Sequence, residues 1–499
     1  MSAPATRCAR FPSRRATGDS PGRPTRIIER MTQPHILILM TDQQRADCMS
    51  CAGHAQLKTP HMDRLAAEGM RYTQATTVSP ICMPARASFA SGLYPHNHGM
   101  WANQGELPAE DETFFQLLQS VGYCTAQVGK AHFYQHQVGV DMRSREPYMH
   151  ARGLEYVHEI PGPKVAGRMI SYMAEEWRAK GLLERYVEDY RERVRSETGG
   201  VWPSPLPVED FLDSYVGRKA VEFVERYEDR RPMCLFVGFG GPHEPWDAPG
   251  QYAEMYRPED TAKPTPIPDE YAVLPDALKA KRDFAVLPDA ILGNVANIRA
   301  NYYGKISLID DNIGYILEAF EKKGWLDDLF VIFLSDHGEM LGDHGRIRKS
   351  TFHEASVRIP LILRWPGRIP ANEISEALVE IVDIFPTLVE AGEGKPSARC
   401  LGRSLWPLIH KERGELKEWQ VSEIVYGEPR IMLRSRRWKL AIDARGAAFM
   451  LYDLEHDPEE QHNLAPVQAA RAVQLQLSES LASRLKELRY GQRVSPGAA

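Results

Sequence analysis

Short runs of apolar residues alternate along the chain with stretches in which apolar residues recur every three or four positions. The short runs have the length of buried strands, and the longer stretches have the period of an amphipathic helix. Five runs predict strands: His35–Met40, Tyr123–Val128, Met233–Phe239, Leu329–Leu334 and Ile359–Leu363. Because strands that alternate with helices form parallel sheets, the pattern predicts an α/β fold with a mainly parallel central sheet flanked by helices.

Helical patterns occupy much of the chain between these runs. Helices are predicted at 60–68, 84–91, 113–120, 208–228, 295–322 and 383–391. Two further segments are interpreted as insertions, because 160–206 is charged and helical in pattern whereas 244–294 is Pro-rich and irregular. Segments of this kind often form the rim of a pocket, and we expect them to select the substrate.

Beyond about residue 400 the pattern becomes typical of a charged antiparallel sheet, followed by a helix at Val467–Leu488. We therefore divide the chain into a disordered N-terminal extension (1–30), a catalytic domain (31–400) and a small α+β C-terminal subdomain (401–499). The extension is rich in Arg, Pro and Ser and lacks the apolar segment of a secretory signal. Since Met31 opens directly onto the first strand, we expect Met31 to be the true start, with an Arg-rich transit peptide as the alternative.

Composition narrows the class of protein. Of the 499 residues, 43% are hydrophobic and 26% charged, which is typical of a globular protein and excludes collagen and coiled coil. The formal net charge is −6, and it becomes −11 when the Arg-rich first 30 residues are set aside. A body this acidic argues against a nucleic-acid partner.

The cysteines and the hydropathy bear on location. Seven cysteines at irregular positions are too few, and odd in number, for a disulfide framework, so a reducing compartment and a cytoplasmic location are expected. No stretch approaches the roughly 20 unbroken apolar residues of a membrane span, and no membrane partner is expected. Composition does not distinguish a monomer from a homo-oligomer.

Polar and charged residues follow four of the predicted strands at the point where each strand ends. They are Asp42 and Gln43, Lys130 and His132, His243, and Asp336 and His337. Ligands of an open α/β sheet bind outside the carboxyl ends of its strands, so these side chains are expected to converge on one crevice. If residues 130–132 continue in extended form, Lys130 and His132 face the same side.

Each of these residues alone has a simpler interpretation. An Asp after a buried strand is often the N-cap of the next helix, and an isolated Lys is usually solvated. A cluster of Asp, Lys and His at one edge of a sheet, however, would be costly to desolvate without a shared ion or anion. The combination therefore predicts a metal ion together with an oxyanion.

The run TVSPICMPARASFASGLYPHNHG (77–99) resembles the signature of type I sulfatases, which belong to the alkaline phosphatase superfamily. Cys82, Pro84 and Arg86 hold the family spacing C-x-P-x-R. Further matches are TDQQ, TPHMDRLAAEG, GYCTAQVGKAH, GPHEP, YYGKISLIDDNIG, SDHGEMLGDHG and LYDLEHDPEEQHNLA. The resemblance extends over about residues 35–465 and implies an alkaline-phosphatase-like fold.

The resemblance implies that Cys82 is converted to formylglycine by a formylglycine-generating enzyme during maturation. A thiol nucleophile would leave an enzyme-bound thiosulfate without an easy exit. The hydrate of an aldehyde has one hydroxyl that attacks sulfur and a second whose deprotonation expels sulfate. Pro84 is predicted to begin a helix, which would leave residue 82 beside free N–H groups and the positive end of the helix dipole.

The family roles, carried over by position, give a ligand set for one divalent metal ion. It consists of Asp42, Gln43, Asp336, His337 and the modified Cys82. Many sulfatases place Asp or Asn at the positions of Gln43 and His337, and Ca²⁺ prefers oxygen to nitrogen. Ca²⁺ is expected, with Mn²⁺ or Zn²⁺ as alternatives.

The resemblance also implies roles for the remaining polar residues. Arg86 and Lys130 hold residue 82 and the anion, while Lys349 and His243 contact the sulfate and assist the leaving alkoxide. His132 is the base that takes the second hydroxyl proton. Asn103 is a further candidate for contact with the anion.

These inferences predict a metal-dependent, arylsulfatase-like sulfuric ester hydrolase that acts on a small-molecule sulfate ester. The TDQ and SDHG variants resemble the branch shared with phosphonate monoester hydrolases, whereas Lys130 and His132 have the sulfatase identities. A phosphonate monoester or phosphodiester hydrolase with the same site is therefore one alternative. A catalytically silent protein that binds sulfated ligands is the other. His96, His98 and Asp310 are predicted to be structural.

Overall fold

The computed structural model describes residues 33–269, 271, 284–426 and 428–489. The predicted extension 1–30, Met31, residues 270 and 272–283 of the second insertion and residues 490–499 of the predicted C-terminal subdomain lie outside these residues. The first ten strands are β1 His35–Asp42, β2 Met70–Tyr72, β3 Ala75–Thr76, β4 Cys124–Gly129, β5 Tyr156–Glu159, β6 Met233–Pro242, β7 Leu329–Ser335, β8 Leu361–Arg364, β9 Glu373–Ser375 and β10 Val379–Glu380.

The central sheet has eight strands in the order β5-β4-β6-β1-β7-β8-β2-β9. The run from β5 to β7 is entirely parallel, with Leu37 of β1 opposite Leu235 of β6 and Val331 of β7. β8 is antiparallel to both of its neighbours, and β3 pairs with β10 in a separate short sheet. This architecture confirms the predicted α/β class.

The sequence of β1 explains why it lies at the centre. All eight residues of HILILMTD are buried, and side chains alternate between the two faces of a strand. Ile36, Ile38 and Met40 pack into one hydrophobic cluster, while Leu37 and Leu39 pack into the cluster on the opposite face. A strand covered on both faces has no solvent side, which is why the predicted run is continuously apolar.

Helices cover both faces of this sheet. They are α1 Pro60–Ala67, α2 Cys82–Ser91, α3 Pro95–His98, α4 Phe114–Ser120, α5 Glu146–Ala151, α6 Tyr172–Ala179, α7 Leu183–Arg195, α8 Leu212–Arg226, α9 Gln251–Glu254, α10 Asp289–Leu292, α11 Val295–Lys322, α12 Glu354–Val357, α13 Ile384–Ala391, α14 Trp406–Ile409 and α15 Arg471–Glu487. Across the described residues, the structure contains no helix with both the length and the apolar character needed to cross a bilayer.

Three predicted helix starts are wrong. The helix predicted at 84 begins at Cys82, because the extended residue is Ile81 and Pro84 fits within the first turn, whose N–H groups have no intrahelical partners. The helix predicted at 208 begins at Leu212, since Phe211 is extended after a 3₁₀ turn at Val208–Asp210. The C-terminal helix begins at Arg471, after another such turn.

The C-terminal part of the chain adds a third sheet, the C-terminal sheet. It comprises β11 Gln420–Tyr426, β12 Glu428–Arg434, β13 Trp438–Asp443 and β14 Ala448–Asp453, all antiparallel and in chain order. Its buried residues Ile424, Met432 and Met450 share a cluster with Ile81, which directly precedes α2. This sheet therefore packs against the start of the helix that carries Cys82.

Candidate active site

Four parallel strands bring the predicted residues to one edge of the sheet. Asp42 is the last residue of β1, and Asp336 directly follows β7. Lys130 directly follows β4, and His243 directly follows β6. The carboxyl ends of parallel strands lie at the same edge, so the four side chains meet although they are far apart in the chain.

Arg86 and Lys130 compensate the two buried aspartates. Arg86 Nε donates to Asp336 Oδ2 at 2.7 Å, and its Nη2 lies 3.4 Å from Asp42 Oδ2. Lys130 Nζ forms an ion pair with the same Asp42 oxygen. The side chains of Asp42, Arg86 and Asp336 are fully buried. Removal of one partner would leave an uncompensated charge in the interior, so each of these charged side chains requires the others.

Cys82 occupies the first position of α2, at the centre of this cluster. Its Sγ lies 3.1 Å from Lys349 Nζ, 3.3 Å from His337 Nε2 and 3.8 Å from Asp42 Oδ1. Burial opposes ionisation of the thiol, but Lys130 and Lys349 hold its pKa well below the usual value. The surroundings of residue 82 thus favour negative charge at this side chain.

Four side chains form a cluster with the geometry of a metal site. The ligand atoms of Asp42, Cys82, Asp336 and His337 all lie within 4.8 Å of one another, and all four residues are buried. His337 Nδ1 lies 3.0 Å from the Gly338 carbonyl, which accepts its proton and leaves Nε2 free to ligate. Two carboxylates and one imidazole suit a divalent cation, and the imidazole nitrogen is more typical of the alternative Zn²⁺ than of the expected Ca²⁺.

Gln43 is held beside this cluster by two carboxylates that sequence analysis did not single out. Its Nε2 donates to Glu244 Oε2 at 2.9 Å and also to Glu339 Oε2. Its Oε1 accepts a hydrogen bond from Lys349 Nζ at 2.5 Å. Because both N–H groups are engaged, the amide oxygen faces Lys349, whose Nζ also lies 3.1 Å from Cys82 Sγ. Burial and the neighbouring Glu244 raise the pKa of Glu339.

Several residues of the site have left-handed backbone, which non-glycine residues rarely adopt. The φ angles are 74° for Gln43, 59° for His132, 72° for Arg348 and 72° for Ser350. Such strain persists only where the surrounding contacts hold it, and it concentrates at functional sites. Here the strained residues include Gln43 and His132, and Arg348 and Ser350 flank Lys349. The strain therefore directs Gln43, His132 and Lys349 toward the cluster around Cys82.

The expectation that residues 130–132 continue in extended form is wrong. β4 ends at Gly129, where φ is 94° and a Cβ would lie 2.0 Å from the Gly238 carbonyl oxygen. The chain turns there and again at His132, and this turn rather than a strand brings Lys130 and His132 to the site. The His132 N–H donates to Glu159 Oε1 at 3.0 Å, which fixes the second turn.

His132 and His243, the two histidines of the site that are not in the metal cluster, are kept neutral by burial. Burial, followed by His136 and Lys130, holds the pKa of His132 well below its ordinary value. Burial likewise lowers the pKa of His243. His243 Nδ1 lies 2.6 Å from the Glu244 carbonyl oxygen, and since a carbonyl only accepts, Nδ1 carries the proton and Nε2 is the free nitrogen.

The other predicted residues divide between the site and the scaffold. Asn103 is exposed, and its Oδ1 accepts the Met83 N–H at 3.0 Å. It therefore contacts the residue that directly follows Cys82. His98 contacts the Ser88 hydroxyl at 2.9 Å, and His96 Nδ1 lies 2.5 Å from Glu423 Oε1. Asp310 accepts the first N–H groups of α1. These last three make structural contacts, as predicted.

Comparison with known proteins identifies the family. The profile described as "Sulfatase" matches residues 34–394, about three-quarters of the chain. The chain belongs to the sulfatase family. A second profile, described as "N-sulphoglucosamine sulphohydrolase, C-terminal", matches residues 342–487 of this sulfatase. The family predicted from the C-x-P-x-R run is thereby confirmed.

Characterised relatives extend over nearly the whole chain. A choline-sulfatase of Rhizobium meliloti is 31% identical, covering 87% of this chain and 82% of the relative. An arylsulfatase of Clostridium perfringens is 28% identical, covering 87% and 90%. A phosphonate monoester hydrolase of Agrobacterium radiobacter superposes with a TM-score of 0.74 at 26% identity, covering 91% of this chain and 96% of the neighbour. The predicted enzyme class, a sulfuric ester hydrolase, is confirmed.

Proposed function

We propose that this sulfatase cleaves small sulfate esters to an alcohol and inorganic sulfate at residue 82, present as formylglycine beside one divalent metal ion. The observation that carries the proposal is the position of Cys82 at the start of α2, within 3.8 Å of Asp42 and between two lysines. An oxygen nucleophile at this point is adjacent to cations that stabilise a transferred sulfuryl group.

The ligands proposed for the ion are Asp42, Gln43, Asp336, His337 and residue 82. When bound, such an ion lowers the pKa of a hydroxyl at residue 82 and polarises a sulfate oxygen. The mixture of oxygen and nitrogen donors leaves Ca²⁺, Mn²⁺ and Zn²⁺ as candidates. Metal content after dialysis against chelator, followed by reloading with each ion, distinguishes them.

Lys349 and His243 are proposed to contact the sulfate, with Lys349 as the proton donor to the leaving alkoxide. Burial works against the charge of Lys349, yet Cys82 as a thiolate and the carboxylates of Asp42 and Glu244 raise its pKa. The carboxylates remain when residue 82 is formylglycine, so Lys349 carries a proton at neutral pH. Neutral His243 has its Nε2 unprotonated, because Nδ1–H is bound to a carbonyl. Asn103 and Lys130 complete the proposed contacts with the anion, and Arg86 holds Lys130 and Asp336 in place.

His132 is proposed as the base of the second half of the reaction. The lowered pKa keeps its imidazole neutral, and it is close enough to interact with the side chain of residue 82. A neutral imidazole accepts the proton whose loss re-forms the aldehyde and releases sulfate. This step follows cleavage of the ester, so the two can be separated kinetically.

The direct test is the mass of the peptide that spans residue 82, in protein purified from its own host. We expect the mass of formylglycine instead of cysteine, and loss of turnover in Cys82→Ala with the fold retained. A matched variant, Cys234→Ala, alters a thiol buried in β6 away from the site and should keep the modification. An ordinary thiol in a fully active enzyme contradicts the proposal.

A phosphonate monoester or phosphodiester hydrolase is the second candidate, favoured by Gln43 and His337 in the ligand set and by the phosphonate hydrolase neighbour. Rates on aryl sulfate, phosphonate and phosphodiester substrates that share one leaving group separate the two. We expect the sulfate to be hydrolysed fastest, because Lys130 and His132 have the sulfatase identities. Faster turnover at phosphorus would favour the second candidate.

We also propose a cytoplasmic location. The six cysteines among the described residues form no disulfide with one another, consistent with a reducing compartment. Separation of host cells into cytoplasmic, membrane and exported fractions, followed by detection of the protein, tests this location.

A further inference from the structure

Glu244 lies where the buried site meets solvent. Its Oε2 accepts the Gln43 amide at 2.9 Å, on the side of the metal cluster. Its Oε1 forms ion pairs with Lys164 Nζ at 2.5 Å and Arg348 Nε at 2.9 Å. The Glu244 side chain is 6% exposed, whereas those of Lys164 and Arg348 are 41% and 52% exposed. Two exposed cations therefore share one buried carboxylate at the mouth of the site.

Both cations are next to lysines that bind the sulfate in the proposed mechanism. Arg348 directly precedes Lys349, whose Nζ lies 3.1 Å from the side chain of residue 82. The loop that carries Lys164 passes over Lys130, since a Cβ on Gly162 would lie 3.3 Å from Lys130 Nζ. The two cations thus lie beside the proposed sulfate site, on its solvent side.

A third cation joins them. Arg168 is exposed, and its Nη2 donates to the Lys164 carbonyl at 2.7 Å. Its guanidinium lies over the ring of Tyr190, 5.4 Å from the centroid. Burial raises the pKa of the Tyr190 hydroxyl, and the charges of Arg168, Glu244 and Arg348 also act on it, so all three lie within electrostatic range of this side chain. We call Lys164, Arg168 and Arg348 the cationic rim.

The cationic rim has more positive charge than its carboxylate compensates. Elsewhere on the surface an exposed lysine such as Lys322 has its own acidic partner, Glu318, one helical turn away. At the rim Lys164 and Arg348 share the one carboxylate of Glu244, and Arg168 contacts a carbonyl oxygen and an aromatic ring, so these three cations outnumber the carboxylate that pairs with them. A guanidinium that donates through Nε retains further N–H donors for a carboxylate or sulfate.

We propose that the cationic rim binds a second anionic group, a carboxylate or a further sulfate, on the alcohol portion of the substrate. This inference rests on the proposed sulfatase function and narrows its substrate class. A substrate with a quaternary ammonium group would meet the excess positive charge, because Glu244 is already paired. The first insertion supplies Lys164, Arg168 and Tyr190, in agreement with its predicted role in substrate selection.

Three phenyl sulfates test the proposal: each has one para substituent on a methylene, namely a carboxylate, the corresponding amide or a trimethylammonium group. The methylene weakens the effect of the substituent on the leaving oxygen, and dividing each kcat/KM by that of the double variant Lys164→Gln, Arg348→Gln removes the remainder, so the corrected differences report binding at the rim. We expect the carboxylate to be preferred to the amide by roughly tenfold, and the ammonium ester to be hydrolysed least well. Raising NaCl from about 0.05 to 0.5 M should reduce the preference by screening.

The double variant Lys164→Gln, Arg348→Gln should reduce the carboxylate-to-amide ratio of kcat/KM to near one. The control is Lys322→Gln, which removes an exposed charge on α11 and should keep the wild-type ratio. If wild type hydrolyses the amide ester but does not discriminate, or if the double variant keeps the ratio, the rim proposal is wrong while the sulfatase function stands. If residue 82 is modified and no sulfate ester is hydrolysed, the proposed function fails and the rim proposal fails with it.

Discussion

The step assigned to His132, the proton transfer that releases sulfate, can be separated kinetically from cleavage of the ester. In His132→Ala we expect the first turnover to release alcohol at close to the normal rate, because cleavage precedes the proton transfer assigned to His132. Sulfate release should then be slow, which gives a burst of alcohol equal to the enzyme concentration. Rapid-quench kinetics on an aryl sulfate measure both phases.

The control for this experiment is His410→Ala, which alters a histidine whose side chain is 53% exposed, near the end of α14. It should show no burst and wild-type turnover. A His132→Ala enzyme whose first and later turnovers are slowed equally would instead place His132 in the cleavage step.

Glu339 acts on the proposed metal through Gln43, without entering the ligand set. It accepts the Gln43 amide through Oε2 and the Leu341 and Arg348 N–H groups through Oε1. Glu339→Ala should free the amide to rotate and lower the affinity for the divalent ion by roughly 10- to 100-fold. Competition between the protein and a fluorescent chelator measures the affinity without use of activity.

Glu339→Gln keeps only one of the two acceptor oxygens, so it should recover only part of the metal affinity lost in Glu339→Ala. Glu318→Ala, which removes an exposed carboxylate on α11, should leave the affinity unchanged. Equal affinities for wild type and Glu339→Ala would show that Gln43 does not need this carboxylate.

At the scale of elements, the parts that the sequence predicts well are those with one dominant physical cause. Continuous burial defines β1 and β7, and the 3.6-residue period defines α11, whose observed bounds Val295–Lys322 equal the predicted ones. Helix starts depend on one extended residue, and Ile81 and Phe211 have no sequence signal for that conformation. These starts were therefore placed wrongly by two to four residues.

The site was predictable as a set of residues but not in its internal arrangement. Asp42 and Asp336 were found because they end buried strands. Glu244 and Glu339 follow strands in the quoted GPHEP and SDHGE runs, so the same signal was present for both. The turns at Gly129 and His132 arise from contacts with Gly238 and Glu159, which are distant in sequence.

His35 makes the pairing of two central strands dependent on pH. It begins β1, and its Nδ1 accepts the N–H of Met233, the first residue of β6, at 3.0 Å. Burial lowers its pKa from 6.5 to about 4, so the unfolded chain binds a proton more readily between these values. The free energy of unfolding therefore falls as the pH drops from 6.5 toward 4, by about 2 kcal/mol between pH 7.5 and pH 5 for this group.

Urea unfolding of wild type and His35→Asn at these two pH values tests the effect. The Asn oxygen keeps an acceptor for Met233 but does not titrate in this range, so the variant should lose about 2 kcal/mol less than wild type on acidification. Other buried histidines, such as His98 with a pKa lowered to about 3, contribute to both proteins equally. Parallel pH dependences would contradict the assignment to His35.

At the scale of the whole molecule, a buried charge network joins the C-terminal sheet to the catalytic core. Lys417 Nζ lies 2.7 Å from both Glu380 Oε2 and Asp383 Oδ2, with its side chain 2% exposed. Glu380 Oε2 also accepts the Tyr94 hydroxyl, and its Oε1 accepts the N–H of Val421 in β11. One carboxylate thus connects the segment after α2, the strand β10 and the C-terminal sheet.

Lys417→Met should leave Glu380 and Asp383 as two buried carboxylates without their cation, and lower the free energy of unfolding by about 3–5 kcal/mol. Urea unfolding at neutral pH measures the loss. Lys411→Met is the matched control, because Lys411 forms an exposed ion pair with Glu373, worth about 1 kcal/mol or less. If the two variants are destabilised equally, the network does not hold the C-terminal sheet to the core. Because that sheet packs beside Ile81, we also expect Lys417→Met, unlike Lys411→Met, to lose activity at lower urea concentrations than wild type.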